Sequence, residues 1–131
     1  MSKLDELIAE LCPDGVEYKP LETILKIKNG ADYKGFPEGN IPVYGGNGIT
    51  GFHNVGFISE ETIVIGRVGE YCGSVYLTEA NCWITDNALY CKEFLENVNK
   101  VYLTYALREA HLNQYANRTG QPIFLKMHLQ M

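Results

Sequence analysis

One stretch of the sequence, Thr62–Gly73 (TIVIGRVGEYCG), constrains the fold more than any other. Its β-branched run Ile63–Ile65 is too short for a helix and too apolar for a surface loop, so it predicts a buried strand. Gly66 ends that run and lets the backbone bend sharply or lie close against another group. Arg67 and Glu70 therefore follow a rigid element, which is where binding residues tend to lie.

Helical patterns lie on both sides of this stretch. Near the N-terminus, Ser2 and Asp5 fit a capping pattern. The apolar residues that follow have the spacing of one helix face: Leu4, Leu7, Ile8 and Leu11. Pro20 predicts a short helical turn through about residue 24. A second helix is predicted over Val98–Ala110. Its apolar face is expected to comprise Val101, Tyr102, Tyr105 and Ala106, with Leu103 and Leu107 beside it.

Short strand patterns occupy the rest of the chain. Leu25 and Ile27 alternate with lysines, which predicts a half-exposed strand. Other short strands are predicted at Val16–Tyr18, Ser74–Leu77, Cys82–Ile84 and Ala88–Cys91. Residues 29–56 are rich in Gly, Asn and Pro but contain aromatic residues, so we expect an ordered region of loops and short strands. The sequence therefore predicts an α+β fold, one mixed domain with a strand-rich, glycine-rich centre flanked by short helices.

Length and composition limit the class of protein. The 131 residues predict one domain, and an apolar content of 46% can supply a core. No stretch approaches the ~20 apolar residues that span a bilayer, and acidic residues interrupt the N-terminal segment where a signal peptide is apolar, so we expect a cytoplasmic protein. The net charge of −5 is unlike that of a free-standing DNA-binding domain, which usually has a basic excess.

The candidates for catalysis are cysteines. Cys72, Cys82 or Cys91 could act as a nucleophile, with His53 as the base and Asp86 to orient it. No local signature supports that grouping, and a free cysteine beside a strand usually behaves as a small buried apolar group. The cysteine spacings match no standard metal site, and the glycine-rich segments lack the P-loop and dinucleotide-binding patterns. We therefore predict no catalytic residue, no metal and no cofactor.

Polar side chains are concentrated in the predicted loops and at strand ends. In the major groove of DNA, Arg can bind guanine and Asn or Gln can bind adenine through paired hydrogen bonds, and lysines can bind phosphates. The residues with this potential are Lys26, Lys28, Lys34, Asn47, Thr50, His53, Asn54, Arg67, Glu70, Thr85, Asn87, Arg118 and Gln121. The alternative for each is a structural role, in which the side chain caps a turn or bonds to the backbone.

Four motifs in order resemble a known family. Leu11–Gly30 (LCPDGVEYKPLETILKIKNG), Ile41–Asn54 (IPVYGGNGITGFHN), Thr62–Leu77 (TIVIGRVGEYCGSVYL) and Trp83–Tyr90 (WITDNALY) follow one another as in the specificity subunits of type I restriction–modification systems. The resemblance is to one target recognition domain and extends to about Pro122. We therefore expect a recognition domain at 1–122 and an atypical C-terminal tail at 123–131, which has neither a clean strand nor a clean helix pattern.

The resemblance implies a mixed α and β module that reads DNA and has no catalysis of its own. In that family the specificity subunit directs methyltransferase (M) subunits, which carry the S-adenosylmethionine site, and a restriction (R) subunit to the target. Arg67 is the first choice for a direct DNA contact. At Ile123–Met131 the sequence departs from the family pattern, which continues there to a long spacer helix, and a truncation, a frameshifted gene and a natural fragment are all open explanations. No membrane or small-molecule partner is expected.

The negative net charge has a consequence for the affinity of the chain for DNA. Because phosphate neutralisation supplies most DNA affinity and partner subunits can provide it, we expect weak DNA binding by the chain alone. The main alternative function is a protein- or carbohydrate-binding module that uses the same aromatic, glycine-rich loops, and salt-insensitive binding would favour it. A cysteine-dependent enzyme is a third hypothesis, and it predicts loss of activity on alkylation.

Overall fold

The computed structural model describes residues 2–11, 18–32, 35–67, 73–112 and 128–130, which form two helices and three sheets. In chain order they are α1 (Lys3–Leu11), β1 (Tyr18–Pro20), a 3-10 turn (Leu21–Thr23), β2 (Leu25–Asn29), β3 (Ile41–Gly45), β4 (Gly48–His53), β5 (Ile63–Gly66), β6 (Val75–Leu77), β7 (Trp83–Ile84), β8 (Ala88–Phe94), α2 (Lys100–Glu109) and β9 (His128–Gln130). The strand orders are β2-β8-β5-β6, β4-β3-β7 and β1-β9. The chain therefore has the mixed α+β fold that its sequence predicts.

Strand β5 lies inside the four-stranded sheet and is buried along its whole length, as its sequence predicts. It pairs antiparallel with both β6 and β8. Because successive side chains of a strand point to opposite faces, Ile63 and Ile65 enter one core and Val64 enters another. The first core includes apolar residues of the 3-10 turn and of α2, and the second joins the three-stranded sheet through Tyr44 and Ile84.

The three-stranded sheet consists of the β3–β4 hairpin and β7, which runs parallel to β3. Ile41 pairs with His53 at the open end of the hairpin, and Gly45 pairs with Gly48 at the turn end. Gly48 has a φ of 91°, in the left-handed region that favours glycine, which allows residues 46–47 to form a tight turn. The glycine-rich motif thus contains the short strands that the sequence predicts, and they pair as a hairpin, which the sequence did not predict.

Both helices begin at a capping residue. Ser2 and Asp5 form the predicted capping box, in which the Asp5 amide donates to the Ser2 hydroxyl over 3.1 Å and the Ser2 amide donates to the Asp5 carboxylate over 3.3 Å. At the start of α2, the Asn99 side chain accepts a hydrogen bond from the Tyr102 amide over 2.9 Å. Leu7 of α1 and Tyr102 of α2 pack in one cluster. Among the described residues, no helix is long and apolar enough to cross a membrane.

The buried face of α2 differs from the predicted one. Val101, which was expected on that face, is 42% exposed, whereas Tyr102, Leu103, Ala106 and Leu107 are buried. Because successive residues of an α-helix are about 100° apart, the buried positions lie on the side away from Val101. The two leucines that were expected beside the apolar face belong to its centre, since they enter the core of the four-stranded sheet while Tyr102 and Ala106 pack toward α1.

Strand pairing also corrects the prediction for the C-terminal residues. His128–Gln130 forms β9, which pairs antiparallel with β1, whereas the sequence pattern indicated no clean strand there. Three residues carry too little periodicity to be recognised, and their partner lies near the other end of the chain. Similarly, β8 continues past Cys91 to Phe94, because β2 pairs with its polar end.

Candidate nucleic-acid interface

One end of the two larger sheets gathers polar side chains from separate segments of the chain. These segments are the β3–β4 turn, the residue after β5, the start of β6 and the turn between β7 and β8. We call this region the strand-end surface and define it by five exposed residues: Asn47, Thr50, Arg67, Asp86 and Asn87.

Side-chain contacts join the β3–β4 turn to β6. The Ser74 hydroxyl donates to the Gly46 carbonyl, and the Tyr76 hydroxyl donates to the side-chain oxygen of Asn47 over 2.9 Å. Gly48 lies against the ring of Tyr76, so that a Cβ at this glycine would be 3.7 Å from the ring. Tyr76 therefore orients the Asn47 carboxamide and leaves its amino group, together with the second lone pair of its oxygen, available to a ligand.

The turn between β7 and β8 is fixed from several directions. The Thr85 amide donates to the Tyr44 carbonyl over 2.9 Å, and the Asn87 amide donates to the Thr85 hydroxyl over 3.3 Å. Gly30 lies so close that a Cβ there would be 1.9 Å from the Thr85 carbonyl oxygen. Because Thr85 is 1% exposed, its side chain positions the turn, whereas the neighbouring Asp86 and Asn87 are exposed.

Arg67 follows the end of β5, as predicted, and is anchored to this same turn. Its amide donates to the Asn87 carbonyl over 3.1 Å. Its Nε and Nη2 both donate to the Asp86 carbonyl, over 3.0 and 2.7 Å. Two hydrogen bonds to one oxygen restrict the plane of the guanidinium, and the residue as a whole is exposed. The Arg67 guanidinium is therefore both held in place and accessible to a ligand.

Arg108 supports the strand-end surface from α2. Its Nε donates to the Val75 carbonyl over 2.8 Å, and its guanidinium carbon lies 5.7 Å from the centre of the Tyr76 ring and 5.5 Å from that of Tyr105. Arg108 thus ties α2 to β6, and Tyr76 ties β6 to Asn47. Sequence reasoning missed both residues, because no local pattern marks a contact between segments that are distant along the chain.

His53 and Asn54 lie at the open end of the hairpin, away from the strand-end surface. There the His53 ring belongs to a group that we call the aromatic cluster: Phe36, His53, Phe57 and Trp83. His53 is 4% exposed, and its Nδ1 accepts a hydrogen bond from the Val55 amide over 3.2 Å. Asn54 is exposed. The structure therefore separates these two predicted contacts from Asn47 and Thr50.

Two of the predicted lysines lie on the outer strand β2. Lys26 and Lys28 are exposed. The Lys26 ammonium is 3.7 Å from the Glu93 carboxylate, but the two side chains are 62% and 57% exposed, so the pair is weak and screened by salt. Both ammonium groups are therefore accessible to a phosphate.

A cleft of about 480 Å³ lies between the segment before β5 on one side and, on the other, β8 and the segment that follows it, and acidic side chains outnumber basic ones in its lining. It is lined by four carboxylates, Glu60, Glu61, Glu93 and Glu96, and by two lysines, Lys92 and Lys100. The Lys100 ammonium also donates to the Glu61 carbonyl over 2.8 Å. An excess of negative charge disfavours a phosphate, so this cleft is a poor candidate for nucleic-acid binding.

The described cysteines lack the chemistry of a nucleophile. Burial raises the pKa of the Cys82 thiol, and it raises the pKa of the Cys91 thiol to about 11. The Cys91 thiol also donates to the Glu93 carbonyl over 3.3 Å. Because the thiolate is the reactive form, these protonated thiols behave as packing groups. Among the described residues, no three His, Cys, Asp or Glu side chains are grouped so as to hold a metal ion.

Several predicted residues fall outside the described part of the chain. These are the DNA-contact candidates Lys34, Glu70, Arg118 and Gln121, together with Cys72.

Comparison with known proteins agrees with the motif resemblance. The sequence matches no protein-family model. It is 32% identical over 81 residues to the type I restriction enzyme EcoprrI specificity subunit of Escherichia coli. The chain is similar to part of a type I specificity subunit. The aligned region covers 62% of this chain and 20% of that subunit, so this specificity-subunit-like chain spans about a fifth of the length of the curated relative that it matches.

Two solved structures share the fold of this chain. The S subunit of a type I restriction–modification system from M. genitalium has a TM-score of 0.70 at 20% identity, over 98% of this chain and 37% of that one. The HsdS subunit from Thermoanaerobacter tengcongensis has a TM-score of 0.65 at 13% identity, over 98% of this chain and 38% of that one. Nearly the whole chain therefore corresponds in fold to somewhat more than a third of each solved subunit.

Proposed function

We propose that this domain recognises a specific sequence of double-stranded DNA, as the specificity subunit or a half-subunit fragment of a type I restriction–modification complex. One observation carries the proposal: a chain similar to specificity subunits presents a fixed arginine and two asparagines together on one exposed surface. These are the side chains best suited to the edges of bases in the major groove.

The strand-end surface suits base recognition because its groups are held in place before a ligand arrives. Asn47 is oriented by Tyr76, and Arg67 is oriented by the Asp86 carbonyl. Side chains that are already ordered lose less conformational entropy on binding. Thr50 and Asn87 add further hydrogen-bonding groups on the same exposed surface.

The other predicted contacts have different roles in the proposed DNA binding, according to whether they are exposed or buried. Exposed Asn54, Lys26 and Lys28 can contact sugar, phosphate or base edges. Buried His53 and Thr85 would act by positioning the segments around them. The remaining proposed contacts, on sequence grounds, are Lys34, Glu70, Arg118 and Gln121.

The domain would act by directing partner proteins rather than by catalysis. In this proposal it brings methyltransferase (M) subunits and a restriction (R) subunit to the DNA sequence that it reads. The net charge of −5 supports a division of labour in which the partners supply much of the phosphate contact. Binding of DNA by the chain alone is then weak.

The test is to co-purify the chain with its cognate methyltransferase subunit and to select bound duplexes from a pool with a randomised segment. We expect the mixture to enrich one short motif, with an affinity that falls steeply as salt rises. Replacement of Asn47 by Ala should lower the preference for one base pair of that motif by about 5- to 150-fold, since a good paired contact contributes ~1–3 kcal/mol of discrimination.

Asn97→Ala is the matched control. Asn97 is exposed and lines the acidic cleft, so its replacement should leave the selected motif unchanged. A complex that forms but enriches no motif would contradict the proposal, as would binding that does not depend on salt.

A further inference from the structure

The hydrogen bonds of Arg67 leave a specific part of its guanidinium available. Nε and Nη2, which lie on one side of the group, donate to the Asp86 carbonyl over 3.0 and 2.7 Å. A guanidinium has five N–H donors. The terminal edge formed by Nη1 and the second N–H of Nη2 therefore remains, and within the described residues nothing else bonds to it. That edge presents two parallel donors in a fixed plane.

The residue that anchors Arg67 also carries a free acceptor. Asp86 is exposed, and within the described part of the chain its carboxylate makes no hydrogen bond or ion pair. The carbonyl of Asp86 holds the guanidinium, and its side chain branches from the Cα next to that carbonyl carbon. Asp86 therefore adds an exposed acceptor to the same residue whose carbonyl holds the Arg67 guanidinium, on a turn that Thr85 and Gly30 position.

We infer that Arg67 and Asp86 together recognise a single G·C base pair in the major groove, with Arg67 donating to O6 and N7 of guanine and Asp86 accepting from the N4 amino group of cytosine. This assignment rests on the proposed DNA-recognition function and adds Asp86 to it as a specificity-determining residue. The pattern matches because guanine offers two adjacent acceptors and its paired cytosine offers a donor next to them.

A phosphate is a poorer match for the same groups. A phosphate would accept from Arg67 equally well, but its negative charge would then lie close to the Asp86 carboxylate, and like charges repel. The edge of a G·C pair is neutral and supplies the donor that Asp86 needs. An adenine–thymine pair presents no two adjacent acceptors on one base in the major groove, so it cannot use both terminal donors of Arg67.

Two conservative variants test the inference in the randomised-duplex selection, with the full chain alone at low salt and in complex with the methyltransferase subunit. Arg67→Lys keeps the charge but loses the paired donors. Asp86→Asn keeps the size and the backbone carbonyl that anchors Arg67. It replaces a charged group with two acceptor oxygens by a neutral carboxamide with one acceptor oxygen and an amino donor, which opposes the amino group of cytosine. Each should lower the preference for the same G·C pair by about 5- to 150-fold and leave the other positions of the motif unchanged.

Glu60→Gln is the matched charge control for Asp86→Asn. Glu60 is exposed and lies before the opposite end of β5, so this variant should select the motif of the wild type. Circular dichroism and amide exchange at Asn87 and Ala88 show whether the turn stays folded in each variant. Since Asp86→Asn leaves the anchoring carbonyl in place, it tests the base contact even if Arg67→Lys loosens the turn.

The outcomes separate this inference from the proposed function. A wild-type motif that neither variant changes overturns the G·C assignment and leaves DNA recognition standing. A change of affinity spread evenly over all sequences overturns the assignment. If Arg67→Lys causes it, phosphate contact is favoured, and a general gain of affinity for Asp86→Asn indicates simple charge repulsion. If the wild-type complex selects no motif, both the G·C assignment and the proposed DNA-recognition function are overturned.

Discussion

The two ends of the β3–β4 hairpin differ in the exposure of their polar side chains. At the turn end, Asn47 is exposed and is held by the hydroxyl of Tyr76. At the open end, His53 is 4% exposed, and its ring lies 5.3 Å from that of Trp83 in the aromatic cluster. Both residues come from one glycine-rich motif. The composition of a motif therefore does not decide which of its polar residues can contact a ligand. That is decided by the position of each residue in the folded hairpin.

The two regions are also held together by different forces. The strand-end surface depends on hydrogen bonds to backbone carbonyls, such as those from Arg67 to Asp86. The aromatic cluster depends on packed rings, with Trp83 5.0 Å from Phe36 and 4.7 Å from Phe57. We therefore expect substitutions in the aromatic cluster to change stability and those at the strand-end surface to change binding.

The largest expected effect is that of Trp83→Ala. Trp83 is 9% exposed, and its Nε1 donates to the Ala31 carbonyl over 2.9 Å. Truncation should lower the free energy of unfolding by about 3–5 kcal/mol. Urea denaturation measures this loss, and the folded fraction should still select the wild-type DNA motif. A changed motif with unchanged stability would break the distinction between the two regions.

Gly30→Ala should have the next largest effect, because it displaces the turn that carries part of the strand-end surface. Its Cβ would be 1.9 Å from the Thr85 carbonyl oxygen, so the turn must move. We expect a loss of about 3 kcal/mol in stability and, in the protein that remains folded, loss of motif selection. Gly51→Ala is the control, because within the described residues no atom other than those of its chain neighbours lies within 4 Å of its Cβ position. Equal behaviour of the two variants would show that the turn is not tightly held.

Tyr76→Phe should have the smallest effect on stability, and it most clearly separates stability from DNA preference. It removes one hydroxyl and the 2.9 Å hydrogen bond to Asn47. Stability should fall by only about 0.5–1 kcal/mol, since an intramolecular hydrogen bond contributes little net free energy. The preference for the base pair that Asn47 contacts should nevertheless fall several-fold, as measured by the randomised-duplex selection. Tyr105→Phe, which also changes a tyrosine beside Arg108, should leave that preference unchanged.

Local patterns predicted much of the fold. The buried strand β5, the capping box of α1 and the 3-10 turn after Pro20 all follow from residues close together in sequence. Long-range pairing was not predictable in the same way. β9 exists because β1 is available to pair with it, and the buried face of α2 is set by α1 on one side and the four-stranded sheet on the other.

For the candidate site, the sequence indicated where residues lie but not what holds them. Arg67 was expected after a strand end, and the structure has it there. Its anchor, the Asp86 carbonyl, belongs to a turn that only the folded sheet brings beside it. Burial of Thr85 and His53 likewise depends on which face of a short segment meets the core, and neither segment is long enough for its pattern to reveal that face.

Strand β5, with Ile65 in one core and Val64 in the other, has a consequence for how the molecule opens. The four-stranded sheet cannot lose β5 without uncovering apolar surface in both cores at once, so we expect the two cores to open together when that sheet unfolds. We expect the backbone amides of β5 to exchange with solvent most slowly, and those of the 46–47 turn to exchange through small local openings. The frame that positions the binding surface would thus stay closed through the small openings of that turn.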